Sequence, residues 1–467
     1  MIHLAGKSKT YTRYLLITVI IAAFGGFLFG YDQGVMSGAI NFIGPVFHMS
    51  SGVLGFVSGG IPLGAFFGCL IAGWLADKIG RKIVMFVSAI LFTLSGLGCA
   101  MAGSVAPMIV SRLVGGLGIG MVSTLIPVYI AEIAPKDIRG KMVGGYQLAI
   151  ATGIFIVYLV NAIIANTHSM EWNQDTGWRM MFLAGMIPGI VFFILLFFIP
   201  ESPRFLINKD RTEQASSILQ KMSVSPKEEI DHQVQDIKTS VIAESHNKSF
   251  TKDLFKKGTR MALFVAIMCS VFQQLTGVNA VGYYAPTIFK NAGAGADAAM
   301  VETVFIGVVK VLFVAFFMGL IDKLGRKRML KWGSYAMALC LILIAILFAQ
   351  DPISKAFDVF IIVLIVLHTA SFEMSWGGGT WVLISEMFPN RIRGRASSIA
   401  SAALWLATYV VTQLFPIMLD KLGDVWTFVI FGGFCIIMGL FIQIFFKETA
   451  GKSLEQIQTD QKEAAAK

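Results

Sequence analysis

Long apolar runs separated by short polar breaks occupy almost the whole chain. A membrane-spanning helix needs about 20 predominantly apolar residues. The runs predict such helices at about 14–38, 53–75, 83–103, 107–131, 143–165 and 179–200, then at 261–289, 301–321, 329–349, 358–386, 396–418 and 425–446. Between the sixth and seventh lies a polar segment, 201–259. Within it Arg211–Met222 and Pro226–His246 have helix-forming composition with dispersed charge of both signs. We read it as a solvated linker with short helices in preference to a separate binding domain. Three regions follow: 1–200 with six spans, 201–259 as the linker, and 260–467 with six more spans and a short polar tail.

The pattern repeats. Gly73–Lys82 (GWLADKIGRK) recurs as Gly319–Lys327 (GLIDKLGRK), and Glu132–Gly140 (EIAPKDIRG) as Glu386–Gly394 (EMFPNRIRG). A weaker echo links Glu201-Ser202-Pro203 to Glu448-Thr449-Ala450. The spacings are close to one another, 245 to 254 residues. Two homologous six-helix halves are therefore expected, a parallel repeat of the kind that places a substrate site between the halves near the midplane.

Charge adds an orientation. Basic residues gather in alternate loops: Lys78, Arg81 and Lys82; Lys136, Arg139 and Lys141; Lys323, Arg326, Lys327, Arg328 and Lys331; Arg391, Arg393 and Arg395. The opposite loops hold only Arg179, Lys290, Lys355 and Lys421. The positive-inside rule then puts both termini in the cytoplasm of a cell-membrane protein. With 56% hydrophobic and 14% charged residues and a mean hydropathy of +0.72, the chain is an all-α integral membrane protein immersed in a lipid bilayer. The net charge of +10 is accounted for by these loops and is no nucleic-acid footprint. The five cysteines fall in apolar runs without metal-ligand spacing. The first apolar run is too long for a cleavable signal and carries an aspartate. No nucleophile–base set, metal motif or cofactor motif is present, so an enzyme is not expected.

The polar positions inside the apolar runs carry the chemistry. Residues 273–286 read QQLTGVNAVGYYAP. Unpaired amides are costly in hydrocarbon, so these side chains must face water, protein or a polar ligand. Asn279 and Tyr283 are four apart and share a helical face. Gly277, Gly282 and Pro286 are points where the helix can bend or unwind. Amides donate and accept, as hydroxyls do, which suits a neutral polyhydroxylated ligand. A single amide of this kind more simply serves as glue between helices. Asp32, Arg112 and Lys310 also lie deep in spans, with Glu373 and His368 in the tenth. Each is costly there and a functional residue by default. Burial favours a neutral Asp32 and a nearby arginine favours its carboxylate, so an Asp32–Arg112 pair can act as a proton switch. A permanent salt bridge is the alternative.

These residues resemble the sugar porter family of the major facilitator superfamily along essentially the whole chain. The resemblance rests on Phe29-Gly30-Tyr31-Asp32, Asp77-x-x-Gly80-Arg81-Lys82 and its repeat, Arg112 with Gly115-Gly116, Glu132 with Arg139, Glu386 with Arg393, Pro200–Arg204 (PESPR) and the Gln273–Asn279 stretch. It is nearest to bacterial proton-coupled monosaccharide symporters, of the xylose type, and to the polyol branch. The resemblance implies twelve transmembrane helices in two pseudo-symmetric halves, no cofactor, a monomer, and uptake of a monosaccharide or polyol with a proton. It pairs Asp32 with Arg112. It carries sugar contact to Gln147, Gln273, Gln274, Asn279, Tyr283, Gly377, Trp381 and Trp405, and marks Lys310 as a substrate-site position where most members have asparagine. It makes Asp77, Arg81, Glu132, Arg139 and Glu201, with Asp322, Arg326, Glu386, Arg393 and Glu448, inter-helix salt bridges that hold the outward-facing state closed inside. Leu404, Gly378-Gly379 and Glu373 depart from the closest relatives and leave the sugar open. A proton-independent facilitator, and a non-transporting sugar sensor of the same fold, are the competing readings.

Overall fold

The computed structural model describes residues 11–135, 138–245, 257–292, 296–350, 355–388, 390–446 and 448. These are helical almost throughout. The first five spans are Arg13–Val46, Ser51–Ile79, Arg81–Ala100, Val105–Ile133 and Arg139–Thr167, and the sixth is Met170–Phe198. The seventh is in two pieces, Lys257–Leu275 and Val278–Ala292. The eighth and ninth are Ala296–Leu324 and Arg326–Phe348. The tenth runs through Lys355–Phe372, a π-turn at Glu373–Gly377, and Gly378–Glu386. Asn390–Phe445 is broken at Gly423, where φ is +76°, and so supplies the eleventh and twelfth. The twelve expected spans are all present, and many of their outward apolar side chains, such as Ile20, Trp74, Phe197 and Ile444, are exposed as a lipid-facing surface requires.

Among the described residues the linker forms the helices Pro203–Asn208, Thr212–Met222 and Lys227–Ser245. They share a small core of their own made by Leu206, Ile207, Ala215, Leu219, Ile230 and Val234. The start of the first span is tied to this unit. Thr12 donates its N–H to the Met222 carbonyl at 3.1 Å and its hydroxyl to the Lys221 carbonyl at 2.6 Å.

Small residues set how closely the spans pack. In the second and fourth spans, a Cβ on Gly64 would come within 2.9 Å of the Gly116 Cα, and one on Gly116 within 2.8 Å of the Gly64 Cα. The two backbones are in contact, which is the packing that membrane helices gain from glycine. The halves meet along the second and eleventh spans, where Gln413 Nε2 donates to the Gly52 carbonyl at 2.8 Å, and along the first and seventh, where Thr287 Oγ1 donates to Asn41 Oδ1 at 2.9 Å.

Only one of the three expected bends in the seventh span breaks the helix. Gly277, with φ at +76°, separates its two pieces. Val278–Ala292 continues through Gly282 and Pro286. Pro286 has no N–H for the carbonyl of Gly282, four residues earlier. The Tyr158 hydroxyl of the fifth span donates to that carbonyl at 3.1 Å, so the helix does not need to unwind.

Candidate functional site

Asp32 lies in the middle of the first span and Arg112 in the fourth. Asp32 Oδ2 is 3.7 Å from Arg112 Nη2, with the side chains 9% and 1% exposed. Arg112 also reaches the second span: Nε donates to the Val57 carbonyl at 2.7 Å and Nη2 to the Ser58 carbonyl at 3.4 Å. The glycine contacts described above bring the fourth span close enough for this. Asp32 Oδ2 itself accepts no hydrogen bond. A void of about 10 Å³, lined by Tyr31, Asp32, Ser95 and Gly185 among others, lies against it and is close to the size of one water molecule.

Next to Asp32 in the chain, Gln33 begins a continuous line of amides. Gln33 Nε2 donates to Asn279 Oδ1 across the two halves, and Asn279 Nδ2 donates to Gln274 Oε1. Gln274 Nε2 donates to Gln273 Oε1 at 3.3 Å. Gln273 Nε2 donates to the carbonyls of Trp376, at 2.8 Å, and Gly377, at 3.3 Å. These amides hold one another in one hydrogen-bonded line. A polyhydroxylated molecule could exchange with each bond in turn, since every member donates and accepts.

The other expected contacts lie around this line. Trp405 is 1% exposed; its Nε1 donates to Ser123 Oγ of the first half at 3.1 Å, and its ring lies 4.9 Å from that of Phe29. Trp381 and Gln147 are half-buried, and Gln147 Oε1 has no hydrogen-bond partner. Tyr283 is buried within electrostatic reach of Asp32 and Arg112. Gln33 is not among the positions that the resemblance implies; its one signal in the sequence is that it is an amide in an apolar run.

Lys310, expected as a substrate-site position, meets Glu373 Oε1 with its ammonium at 3.0 Å, both side chains being under 5% exposed. A buried charge is stabilised by an opposite one, and the nearest acid is on the tenth span's π-turn. The carbonyls of Trp376 and Gly377, on the same turn, anchor Gln273. His368 Nε2 lies 3.1 Å from the carbonyl of Thr276, at the break in the seventh span.

At the basic loops the two halves form matching knots. Gly80 (φ +102°) alone joins the second and third spans, and Gly325 (φ +85°) alone joins the eighth and ninth. Glu201 accepts the N–H groups of Arg81, at 3.0 Å, and Lys82, at 3.2 Å. Glu448 accepts those of Arg326, at 2.9 Å, and Lys327, at 3.0 Å. Both were expected as salt-bridge partners. The structure uses them to cap helix N-termini, where free N–H groups and the helix dipole favour a carboxylate. Burial pushes the Glu201 carboxyl above the usual range, against the pull of the Ser202, Lys82 and Arg81 N–H groups and the Arg81 charge. Arg81 pairs with Asp77 at 3.1 Å and Glu132 at 3.4 Å. Glu132 also accepts the Ser202 hydroxyl. Arg139, expected among the salt bridges of these loops, donates from Nη2 to the Ala134 carbonyl at 3.4 Å. The side chains of Asp322, Glu386 and Arg393 lie outside the described residues.

On the face opposite the basic loops a cavity of about 630 Å³ opens between the halves. Asn41, His48, Leu54, Tyr284, Thr287 and Asp420 are among the residues lining it. Its volume is within the range of small-molecule sites.

Residues 18–460 match the family described as "Sugar (and other) transporter". The chain is similar to the arabinose-proton symporter of Bacillus subtilis (strain 168), with 39% identity over 447 residues covering 95% of this chain and 94% of that protein. It is also similar to the D-xylose-proton symporter of Escherichia coli (strain K12), with 35% identity over 487 residues and 96% of each chain covered. Among solved structures, the xylose transporter of E. coli in a partially occluded inward-open conformation superposes with a TM-score of 0.84 at 33% identity, covering 95% of this chain and all of the other.

Proposed function

The chain belongs to the sugar transporter family, and from that membership we propose that it imports a monosaccharide or polyol by proton symport with alternating access. Its fold is the major facilitator fold, twelve membrane helices in two related halves. The observation that carries the symport reading is the adjacency of two sites. Asp32 faces Arg112, and the next residue, Gln33, opens the amide line that ends on the tenth span. A proton taken up at Asp32 and a sugar bound at Gln33 and Asn279 therefore act on neighbouring residues of one helix.

In this reading the sugar exchanges its hydroxyls for the amide–amide bonds of Gln33, Gln273, Gln274 and Asn279. Gln147, Tyr283, Gly377, Trp381 and Trp405 complete the site. An indole face such as that of Trp381 suits the C–H face of a sugar ring. Lys310 acts at one remove: it neutralises Glu373 and steadies the turn that anchors Gln273. Arg112 keeps its positive charge throughout, and the proton cycles on Asp32. A ligand or proton shifts the two access states only through different affinity for each. The paired acids and bases at the basic loops favour one of those states.

We take 1–200 and 260–467 as the two halves and 201–259 as their linker. The protein acts as a monomer in the cell membrane with both termini in the cytoplasm; the alternating basic loops support that orientation. The test uses purified protein in liposomes. Arabinose, xylose, hexoses and inositols are compared in counterflow, then in uptake driven by an imposed pH gradient. Accumulation above the equilibrium level is expected. A protein that exchanges sugar yet never concentrates it is a facilitator, and the symport reading then fails.

A further inference from the structure

Pro62, in the second span, has no N–H for the carbonyl of Ser58, four residues earlier. Within a membrane that freed carbonyl needs another donor. It accepts Arg112 Nη2 at 3.4 Å, the same nitrogen that faces Asp32 Oδ2 at 3.7 Å. One N–H-bearing atom is thus shared between the acid and the second span. The Ser58 hydroxyl is committed as well. It donates to the Leu54 carbonyl at 2.9 Å and accepts from the Tyr284 hydroxyl at 3.1 Å. Ser58 is fully buried.

Tyr284 stands in a strategic place. It lines the 630 Å³ cavity and belongs to Val278–Ala292, the piece of the seventh span beyond the Gly277 break. The same piece carries Asn279, the amide that meets Gln33. A positive-φ glycine at its base lets this piece move as one body against the rest of the span.

We propose that Ser58 is a positioning residue for coupling: its carbonyl holds Arg112 and its hydroxyl holds Tyr284, so the charge state of Asp32 reaches the movable piece of the seventh span through one residue. When Asp32 is charged, its attraction draws Arg112 Nη2 away from the Ser58 carbonyl. When Asp32 is protonated, the guanidinium settles on the carbonyls of Val57 and Ser58. The second span then shifts beneath Tyr284, and the bond that holds Val278–Ala292 over the cavity changes with it. The remaining titratable groups facing the pair are Tyr31 of the first span, Cys99 of the third and Tyr283 of the seventh. Tyrosine and cysteine carry no charge near pH 7 at their ordinary values, so Asp32 is the group that changes the local field.

This inference rests on the symport reading, and the experiment separates the two. Full-length wild type, Ser58→Ala, Tyr284→Phe, the double variant and Pro62→Ala are reconstituted in liposomes. For each, the ratio of pH-driven accumulation to counterflow is measured with D-xylose and L-arabinose. A protein merely loosened by mutation loses both activities together and keeps its ratio. Ser58→Ala is expected to lower the ratio by about fivefold, the order for one lost hydrogen bond. Tyr284→Phe, which keeps the ring and its packing, is expected to match it, and the double variant to fall no further than either single one. Pro62→Ala restores an N–H to compete for the Ser58 carbonyl and should lower the ratio with Ser58 and Tyr284 intact. Ratios equal to wild type in Ser58→Ala and Tyr284→Phe overturn this proposal alone, as do effects that multiply in the double variant. A wild type that accumulates neither sugar overturns the symport reading and this proposal with it.

Discussion

Gly80 and Gly325 occupy the same turn in the two halves, each with a carboxylate closing over the backbone N–H groups that follow, whereas Arg112 and Lys310 meet their acids in quite different ways. At the turns the match extends to the sign of φ and to the bond lengths. In mid-membrane the buried ion pairs join non-corresponding pairs of spans, the first and fourth in one half and the eighth and tenth in the other. Arg112 stands 3.7 Å from Asp32 and is also held by two carbonyls of the second span. Lys310 stands 3.0 Å from Glu373, which is its one hydrogen-bond partner among the described residues. A guanidinium has five donors and stays satisfied when its acid loses charge; an ammonium with one acceptor does not. The first arrangement suits a switch and the second a strut. The duplicated scaffold has kept its turns, while each half holds a buried ion pair of its own at positions that the repeat does not relate.

The sharpest way to break this comparison is to remove the switch. Asp32→Asn fixes the first pair in its neutral form and should reduce pH-driven accumulation to background while sugar counterflow remains measurable. An Asn variant that still concentrates sugar would move the proton site elsewhere, with Glu373 the first alternative. The strut should respond in the other currency, stability. Lys310→Met or Glu373→Gln leaves one buried charge without its partner and should cost about 3–5 kcal/mol. The double variant should recover most of that, read as the unfolding midpoint in detergent. Asp32→Asn should cost less than either single change, because Arg112 keeps its carbonyls. A double variant no more stable than the singles would show that Lys310 and Glu373 do not act as a unit.

The likeness of the halves can be tested at the turns. A Cβ on Gly80 would lie 2.3 Å from Glu201 Oε2, and one on Gly325 would lie 2.6 Å from Glu448 Oε2. With positive φ added, Gly80→Ala and Gly325→Ala should each cost about 1–3 kcal/mol, and by similar amounts. Clearly unequal losses in thermal unfolding would mean that the two knots are alike in shape but not in load. The smallest effect expected is on binding. Gln274→Ala and Gln33→Ala should each weaken sugar affinity by about 0.5–1.5 kcal/mol in calorimetry, with little change in unfolding. Unchanged affinity in Gln33→Ala alone would remove Gln33 from the sugar site.

Much of the architecture was legible before any coordinates. Twelve spans, the linker helices and the repeat follow from hydrophobic run length and from motifs that recur at nearly one spacing, because a bilayer imposes the same length on every crossing. The polar interruptions were legible too: Asp32, Arg112, Gln273, Gln274, Asn279 and Lys310 stand out against apolar surroundings that charge them for being there. Apart from the Asp32–Arg112 pair, their partners were not. That Gln33 meets Asn279 from 246 residues away, that Lys310 meets Glu373, and that Glu201 and Glu448 cap helix N-termini all depend on which helix faces are brought together. Pro62 and Pro286 show the reason most plainly. The sequence by itself determines that each proline leaves a carbonyl without its helical donor; only the tertiary packing decides that Arg112 fills one vacancy and Tyr158 the other, because a freed carbonyl in hydrocarbon takes whichever donor the neighbouring helix can bring within reach.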